Sequence, residues 1–527
     1  MKNKVYSPEE AVKLIHSGDT ISTSGFGLTA FAEEIAVHLE KSYLETGEPS
    51  NLTLYYCSGQ SNWRGGGIDH FAHKGMLKRI IGGHYGAALS IGEMVMGNEV
   101  EAYNVPQGAI VKMLRSRVEG QPGLLTRVGL GTYVDPRQEG GKMNSITTEN
   151  ISEVSEWNGE EYLFYPSPKI QVGIIRGTVA DTNGNLTIDE EPLSSEIRLI
   201  AMAARASGGK VIAQVKHIAA PGSIAPNRVH VPGIFVDAVV ECSDPERYHR
   251  QTTEVYYDQT LSGQTSALDS GREVLPLDIK KVIARRGAQE LRHGAVVNLG
   301  LGIPAYISLV ANEEDVGREI VLTLESGIIG GIPCKGVDFG VGRNYMGMID
   351  QASQFDFYHG RGLDMAFLGF AQINAGGDVN VSKFSGKVAG CGGFIDISQC
   401  TDKVVYCGTF TAGGLETELG KGGIRIIKEG KHKKFVKRVD QITFNGQLGL
   451  KDGQDVMIVT ERAVFRVKEG GLVLTEIAPG IDLERDILNQ MEFSPRISSN
   501  LKEMDCSLFL EPPMGLKQLW RRGELRG

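Results

Sequence analysis

Apolar and polar positions along this chain follow two alternating periods. The segment GDTISTSGFGLTAFAEEIAVHL, beginning at Gly18, predicts a strand, a glycine turn at Gly25 and Gly27, and an amphipathic helix. GAVVNLGLGIPAYISLVA, beginning at Gly294, repeats that order with a turn at Gly300 and Gly302, and Pro304 stands where a first-turn proline belongs. A second pair supports the first. VADTNGNLTI from Val179 and QINAGGDVNV from Gln372 both read as strand, Asn/Gly turn and strand. Aligning Asp181 with Asn374 puts Gly184 on Gly377 and Val211 on Val404 without a gap. Strand-like runs alternate with helical patterns throughout, which predicts parallel α/β sheets. The expected fold class is therefore α/β, with two similar open domains fused in tandem and the first enlarged by an insertion.

The boundary falls in YYDQTLSGQTSALDSGREVLPLD, which is polar, turn-rich and without periodicity. The pattern predicts an N-terminal domain over residues 1–255, a linker over 256–276 and a C-terminal domain over 277–527. At the start of the chain, Ser7-Pro8-Glu9-Glu10 predicts a capped helix whose apolar face is Ala11, Val12, Leu14 and Ile15.

Composition narrows the chemistry. A chain of 527 residues exceeds one domain of about 100–200 residues. Its net charge of −9, with no long basic run, argues against nucleic acid. No window approaches the roughly eighteen apolar residues of a membrane span. The 68 glycines have no fixed period and predict tight turns and close backbone approach to a ligand. Seven cysteines without a CxxC pair or a metal-like spacing predict free thiols, a cytoplasmic protein and no metal site.

The stretch LTLESGIIGG, Leu322–Gly331, sets one carboxylate between a predicted buried strand and a glycine loop. Val321, Leu322 and Leu324 precede Glu325, Ile328 and Ile329 follow it, and the next basic residue is Lys335. Desolvation of that kind favours a nucleophile. A solvated or ion-paired glutamate is the plainer alternative. A third reading is a ribose-binding acid, because GFGLTA and GLGIPA satisfy the loose pattern GxGxxA and Glu325 lies 20 residues after Ala305. Against an NAD-dependent oxidoreductase, the corresponding strand of the first half, NLTLYYCSG, ends in Cys57 and Ser58 without an acid. The two halves also do not differ as cofactor and substrate domains should. A non-catalytic ligand sensor is a further alternative. Gln107, fixed between Pro106 and Gly108, is either a turn residue or an amide donor to an oxyanion. GCGGF, Gly390–Phe394, is either a plain turn or a set of backbone donors. His84 and His359 are isolated and read as packing or hydrogen-bonding residues.

Taken together, ESGIIGG, VNLGLGIP, AYNVPQG, AGCGGFIDI and YCGTFTAGG resemble family I coenzyme A transferases. GTYVDPRQEGGK, SQFDFYHGRGLD, KKFVKRVDQITFNG and VTERAVF extend the resemblance over nearly the whole chain, and it is nearest to the single-chain propionate/acetate CoA-transferases. Two-subunit relatives have Glu-Asn-Gly where this chain has Glu325-Ser326-Gly327, and Arg361 stands where a glycine is expected. The resemblance implies the paired CoA-transferase (NagB/RpiA-like) fold and a ping-pong reaction. In that reaction Glu325 is the nucleophile, and Gln107 with the amides near Gly392 and Gly393 are the oxyanion donors. It further implies that Gly300 and Gly302 admit the pantetheine or phosphates of coenzyme A. Coenzyme A would be both substrate and covalent intermediate, with no tightly bound cofactor. The implied partners are short-chain acyl-CoA and carboxylates, in a homo-oligomer.

Overall fold

Strands that are apolar on both faces build the centre of each half. In the computed structural model, which describes residues 3–267, 274–384 and 386–522, the chain forms two compact units. Unit 1 comprises Met1–Ala267, Leu324–Asp356 and Ser385–Asp396, and unit 2 comprises Leu268–Thr323, Phe357–Phe384 and Ile397–Gly527. These units are not the contiguous halves the sequence pattern divides at 256–276: two segments of the C-terminal half, one of them carrying Glu325, pack within unit 1. Residues 256–267 of the expected linker form no helix or strand, and Lys216 Nζ lies 4.7 Å and 4.8 Å from the rings of Tyr256 and Tyr257. Residues 268–273 lie outside the described residues.

Unit 1 holds seven strands: β1 (Thr20–Thr23), β2 (Leu52–Tyr56), β3 (Leu77–Gly82), β4 (Glu101–Asn104), β5 (Val172–Asp181), β6 (Lys210–Ala219) and β7 (Ala238–Glu241). Their order is β7-β6-β5-β1-β2-β3-β4 and every neighbouring pair is parallel. Ile21, Leu54, Ile80, Ile174, Val211 and Val239 lie buried within it, as strands covered on both faces require. The chain steps outward from β1 to β4 and then returns to β5 on the other side of β1. The carboxyl ends of β1 and β5 therefore form a topological switch point, where open α/β sheets bind ligands. The insertion expected in the first half appears between β4 and β5 as an antiparallel sheet of Gly123–Thr126, Glu160–Pro166 and Glu153–Trp157.

Helix α1 (Pro8–Val12) has the predicted capping box: Ser7 Oγ accepts from Glu10 N at 3.2 Å and Ser7 N donates to Glu10 Oε2 at 3.0 Å. It ends at Val12, so Ile15 is buried from a turn and not from the helix face the spacing predicts. Helix α2 (Glu33–Thr46) follows the Gly25–Gly27 turn, α3 (Gln107–Val118) follows β4, and α4 (Ile197–Ala206) lies between β5 and β6.

Unit 2 repeats the plan with β8 (Val296–Leu299), β9 (Val321–Thr323), β10 (Met365–Leu368), β11 (Lys403–Cys407) and β12 (Asp455–Val459). These run in the order β9-β8-β10-β11-β12, all parallel. Beyond β12, Ala463–Lys468 and Gly471–Ile477 continue antiparallel. Pro304 sits in a 3₁₀ turn, Ile303–Ala305, that leads into the helix Tyr306–Glu313. The paired turns match atom for atom. Asp181 Oδ1 accepts the amides of Asn183 and Asn185, and Asn374 Oδ1 accepts those of Gly376 and Asp378. Gly184 and Gly377 have φ of 89° and 85°. Among the described residues no helix is long and apolar enough to cross a membrane.

Candidate active site

Glu325 follows β9 and stands at the tip of a four-residue turn. Gly327 N donates to Leu324 O at 3.0 Å, and Leu324 N donates to Ile328 O at 2.9 Å. The flanking Leu324 and Ile328 are 3% and 0% exposed, whereas Glu325 itself is half-buried. Two buried apolar residues thus anchor the turn and leave its carboxylate partly accessible. Ser326 Oγ donates to Gly340 O at 2.5 Å, and Ile349 N donates to Gly327 O at 2.9 Å. Gly327 has φ of 108°, and a Cβ there would lie 2.0 Å from Ile349 O. The close approach predicted from the glycines is therefore made, at Gly327, by the chain's own backbone.

The carboxyl ends of β2, β3 and β4 bring further residues to the same unit. Gln107 is the first residue of α3, its backbone set by Pro106, and it is 2% exposed. Its Nε2 donates to Ser58 Oγ at 2.8 Å, and Gln351 Nε2 donates to the same oxygen at 2.9 Å. Gln351 follows Ile349 by two residues, so the segment that fastens the Glu325 turn also reaches the Gln107 amide through Ser58. The predicted glycine loop lies here as well. Gln107 N donates to Gly392 O at 3.0 Å, and Gly108 N donates to Asp396 Oδ2 at 3.1 Å. Buried Asn104 donates to the carbonyls of Gly82 and Gly83 at 2.8 Å and 2.7 Å, while its Oδ1 accepts from Cys391 N at 2.8 Å.

This geometry divides the expected backbone donors. Gly392 N already donates to Gly83 O at 2.7 Å, so its amide is committed to holding the loop. Gly393 N makes no hydrogen bond among the described residues, which leaves it as the donor of the pair. His84 packs beside Gly392, within 3.8 Å of where a Cβ would stand. Desolvation lowers its pKa to about 4, so the ring is neutral at pH 7.

Gly300 and Gly302 belong to unit 2. Gly300 N donates to Phe367 O at 2.8 Å, whereas Gly302, with φ of 79°, has open space where a Cβ would point. In the first copy, Phe26 N and Gly27 N donate to Thr29 O and Gly59 O at 2.9 Å and 2.7 Å. Three of the amides that a dinucleotide pyrophosphate would use are thus engaged internally. Arg361 has φ of 61°, the left-handed region in which a glycine is at ease, and its Nε donates to Asp402 at 3.1 Å.

One carboxylate escapes sequence reasoning. Glu196, 1% exposed, sits after β5 at the switch point. It accepts from Ser195 Oγ and lies 3.4 Å from Gln60 Nε2, whose amide also bonds Thr23 O and Gly25 O at 2.9 Å and 3.2 Å. Burial pushes its pKa up to about 7. In sequence it looks like a helix-capping acid between serines and an apolar run.

Residues 5–242 match the family described as coenzyme A transferase. Over 517 residues the chain is 44% identical to a caffeate CoA-transferase of Acetobacterium woodii, covering 97% of this chain and 98% of that one. It is 41% identical to the acetate CoA-transferase YdiF of Escherichia coli strain K12, covering 97% and 96%. A crystal structure of the acyl-CoA transferase YdiF from E. coli O157:H7, in a thioester complex with CoA, superposes with a TM-score of 0.91 at 40% identity, covering 98% of this chain and 97% of that one.

Proposed function

The chain belongs to the coenzyme A transferase family, and from that premise we propose that it moves coenzyme A between a short-chain acyl-CoA and a free carboxylate, of the propionate or acetate type, through a covalent thioester on Glu325. The observation that carries this reading is the Glu325 turn: a half-buried carboxylate held between two buried residues, in the same unit as the Gln107 amide and the Gly393 N–H.

The carboxylate of Glu325 adds to the carbonyl of the donor acyl-CoA and expels CoA thiolate, leaving a mixed acyl-glutamyl anhydride. The thiolate then attacks the glutamyl carbonyl. Donor carboxylate leaves, and CoA remains on Glu325 as a thioester. The acceptor carboxylate attacks that thioester, releases thiolate and forms the second anhydride. Thiolate attack on the acceptor's carbonyl yields the new acyl-CoA and restores the glutamate. Every addition creates an oxyanion, for which the second N–H of the Gln107 amide and the Gly393 N–H are suited donors. Thioester energy is conserved at each step, so the sequence consumes no nucleotide triphosphate. The protein works as a cytoplasmic homo-oligomer in this reading.

Intact mass spectrometry after incubation with propionyl-CoA tests the proposal. A CoA-sized increase that hydroxylamine removes and that Glu325→Ala lacks is expected. Absence of an adduct with every acyl-CoA donor overturns it. The caffeate CoA-transferase among the relatives adds an aromatic acid to the acceptor panel. Acetate, propionate, butyrate, lactate, acrylate and caffeate should therefore be compared with one donor, since a single methylene changes discrimination by only about 1–3 kcal/mol.

A further inference from the structure

Three parallel strands of unit 2 are each followed directly by a glycine: β8 by Gly300, β10 by Gly369 and β11 by Gly408. The strands are direct neighbours, so these glycines form a continuous rim along the carboxyl edge of the sheet. Lys434 closes one end of that rim. It is 9% exposed, its Nζ lies 3.8 Å from the centroid of the Phe370 ring, and a Cβ placed on Gly408 would come within 2.9 Å of it. Among the described residues the ammonium makes no hydrogen bond or ion pair. Glu461 acts on it electrostatically, but that carboxylate is committed elsewhere. It accepts from Arg462 Nε at 2.6 Å and from Phe410 N at 2.9 Å, and Arg462 is also bound by Glu429.

We propose that Lys434 receives a phosphate oxygen of coenzyme A at the glycine rim of unit 2. The inference rests on the CoA-transferase reading and adds a contact to it. A buried amine without an acceptor is costly unless an anion completes it. A lysine is a compact point charge suited to phosphate, whereas bidentate recognition of a carboxylate favours an arginine fork. Glycine at the strand ends lets a ligand come close to the backbone, as carboxyl-edge sites of α/β sheets do. Burial lowers the Lys434 pKa to about 7. An incoming phosphate reverses that desolvation, so the amine takes up a proton when the ligand binds above pH 7.

Calorimetry at pH 8 in two buffers of different ionisation enthalpy, with CoA, pantetheine and acetate as ligands, tests this. Wild-type protein should take up a fraction of a proton with CoA and none with pantetheine or acetate. Lys434→Met should lose the uptake and bind CoA roughly tenfold or more weakly, as expected for a lost charge-assisted bond, with pantetheine unchanged. Gly408→Ala, which crowds the ammonium, provides a second variant and should also weaken CoA more than pantetheine. Binding of CoA without proton uptake, uptake that survives in Lys434→Met, or uptake with pantetheine overturns the assignment. Uptake with acetate alone makes the anion a carboxylate and likewise overturns it. Failure of wild-type protein to bind any of the three ligands defeats the CoA-transferase reading itself.

Discussion

At the scale of single residues, the Gln107 amide is fixed by a hydroxyl that serves two masters. Ser58 Oγ accepts from Gln107 at 2.8 Å and from Gln351 at 2.9 Å. With one N–H of Gln107 engaged, the other has a defined direction. Gln107→Ala should lower turnover by roughly 10²–10³ with the protein still folded. Ser58→Ala removes the shared acceptor while leaving the amide in place, so kcat should fall about tenfold, less than for loss of a whole donor, with KM for acyl-CoA little changed. Adding Ser58→Ala to Gln107→Ala should cost nothing further, because the serine acts only through the glutamine. Steady-state kinetics of the two single variants and the double variant decide it, and wild-type turnover in Ser58→Ala removes the positioning role. Glu325 and Gln107 were legible as candidates because each stands in a locally unusual run, a charge among apolar residues or an amide between proline and glycine. Ser58 and Gln351 were not. Their partners lie 49 and 293 residues away in the chain, and no local period encodes such a meeting. The engaged amide of Gly392 was equally hidden, since its acceptor, Gly83, comes from another strand end.

At the scale of elements, the repeated order of features was readable because it depends on short-range turn chemistry, and the matched Asx turns at Asp181 and Asn374 bear out its strand, turn and strand pair. What fastens the first turn was not readable. Arg176 on β5 and Glu191 are each nearly fully buried and pair at 2.6 Å, and His249 adds a bond to Glu191 at 3.1 Å. The same guanidinium donates to Leu28 O and Phe31 O, both at 3.2 Å, which ties the end of the Gly25–Gly27 turn to the sheet before α2 begins. Arg176→Met would leave Glu191 buried without its main counter-charge, a change that costs about 3–5 kcal/mol. Urea denaturation should record that loss, with Glu191→Gln in the same background recovering part of it. A loss below about 1 kcal/mol would mean that water or His249 replaces the guanidinium.

At the scale of the whole molecule, the two units should answer pH differently. Each contains a carboxylate held at a pKa of about 2 despite burial: Glu191 in unit 1 by Arg176 and His249, and Glu290 in unit 2 by Arg286 and Lys403. Their stabilisation is present above the ordinary value of 4.5 and is lost as pH falls from there through about 2, so both units share an acid limb. The alkaline side separates them. In unit 1, His70 bridges Glu40 at 2.6 Å and Glu33, the first residue of α2, at 3.0 Å. Burial alone would lower its pKa, but the two carboxylates raise it from 6.5 to about 9. That contribution is complete below pH 6.5 and disappears as pH rises through about 9. Lys434 in unit 2 has the opposite sign. Its pKa falls from 10.5 to about 7, so the folded state carries the penalty of a buried charge below pH 7 and is relieved of it as pH rises toward 10.5. Between pH 7 and 9, unit 1 should weaken while unit 2 strengthens. Unfolding free energies measured at pH 7 and pH 9 resolve the two effects even if the units unfold together. His70→Gln should abolish the falling contribution and make the protein gain stability over this interval. Lys434→Met should abolish the rising one and make the protein lose stability over this interval. A His70→Gln protein whose stability changes between these pH values just as the parent's does would show that the bridge to α2 does not carry the falling contribution.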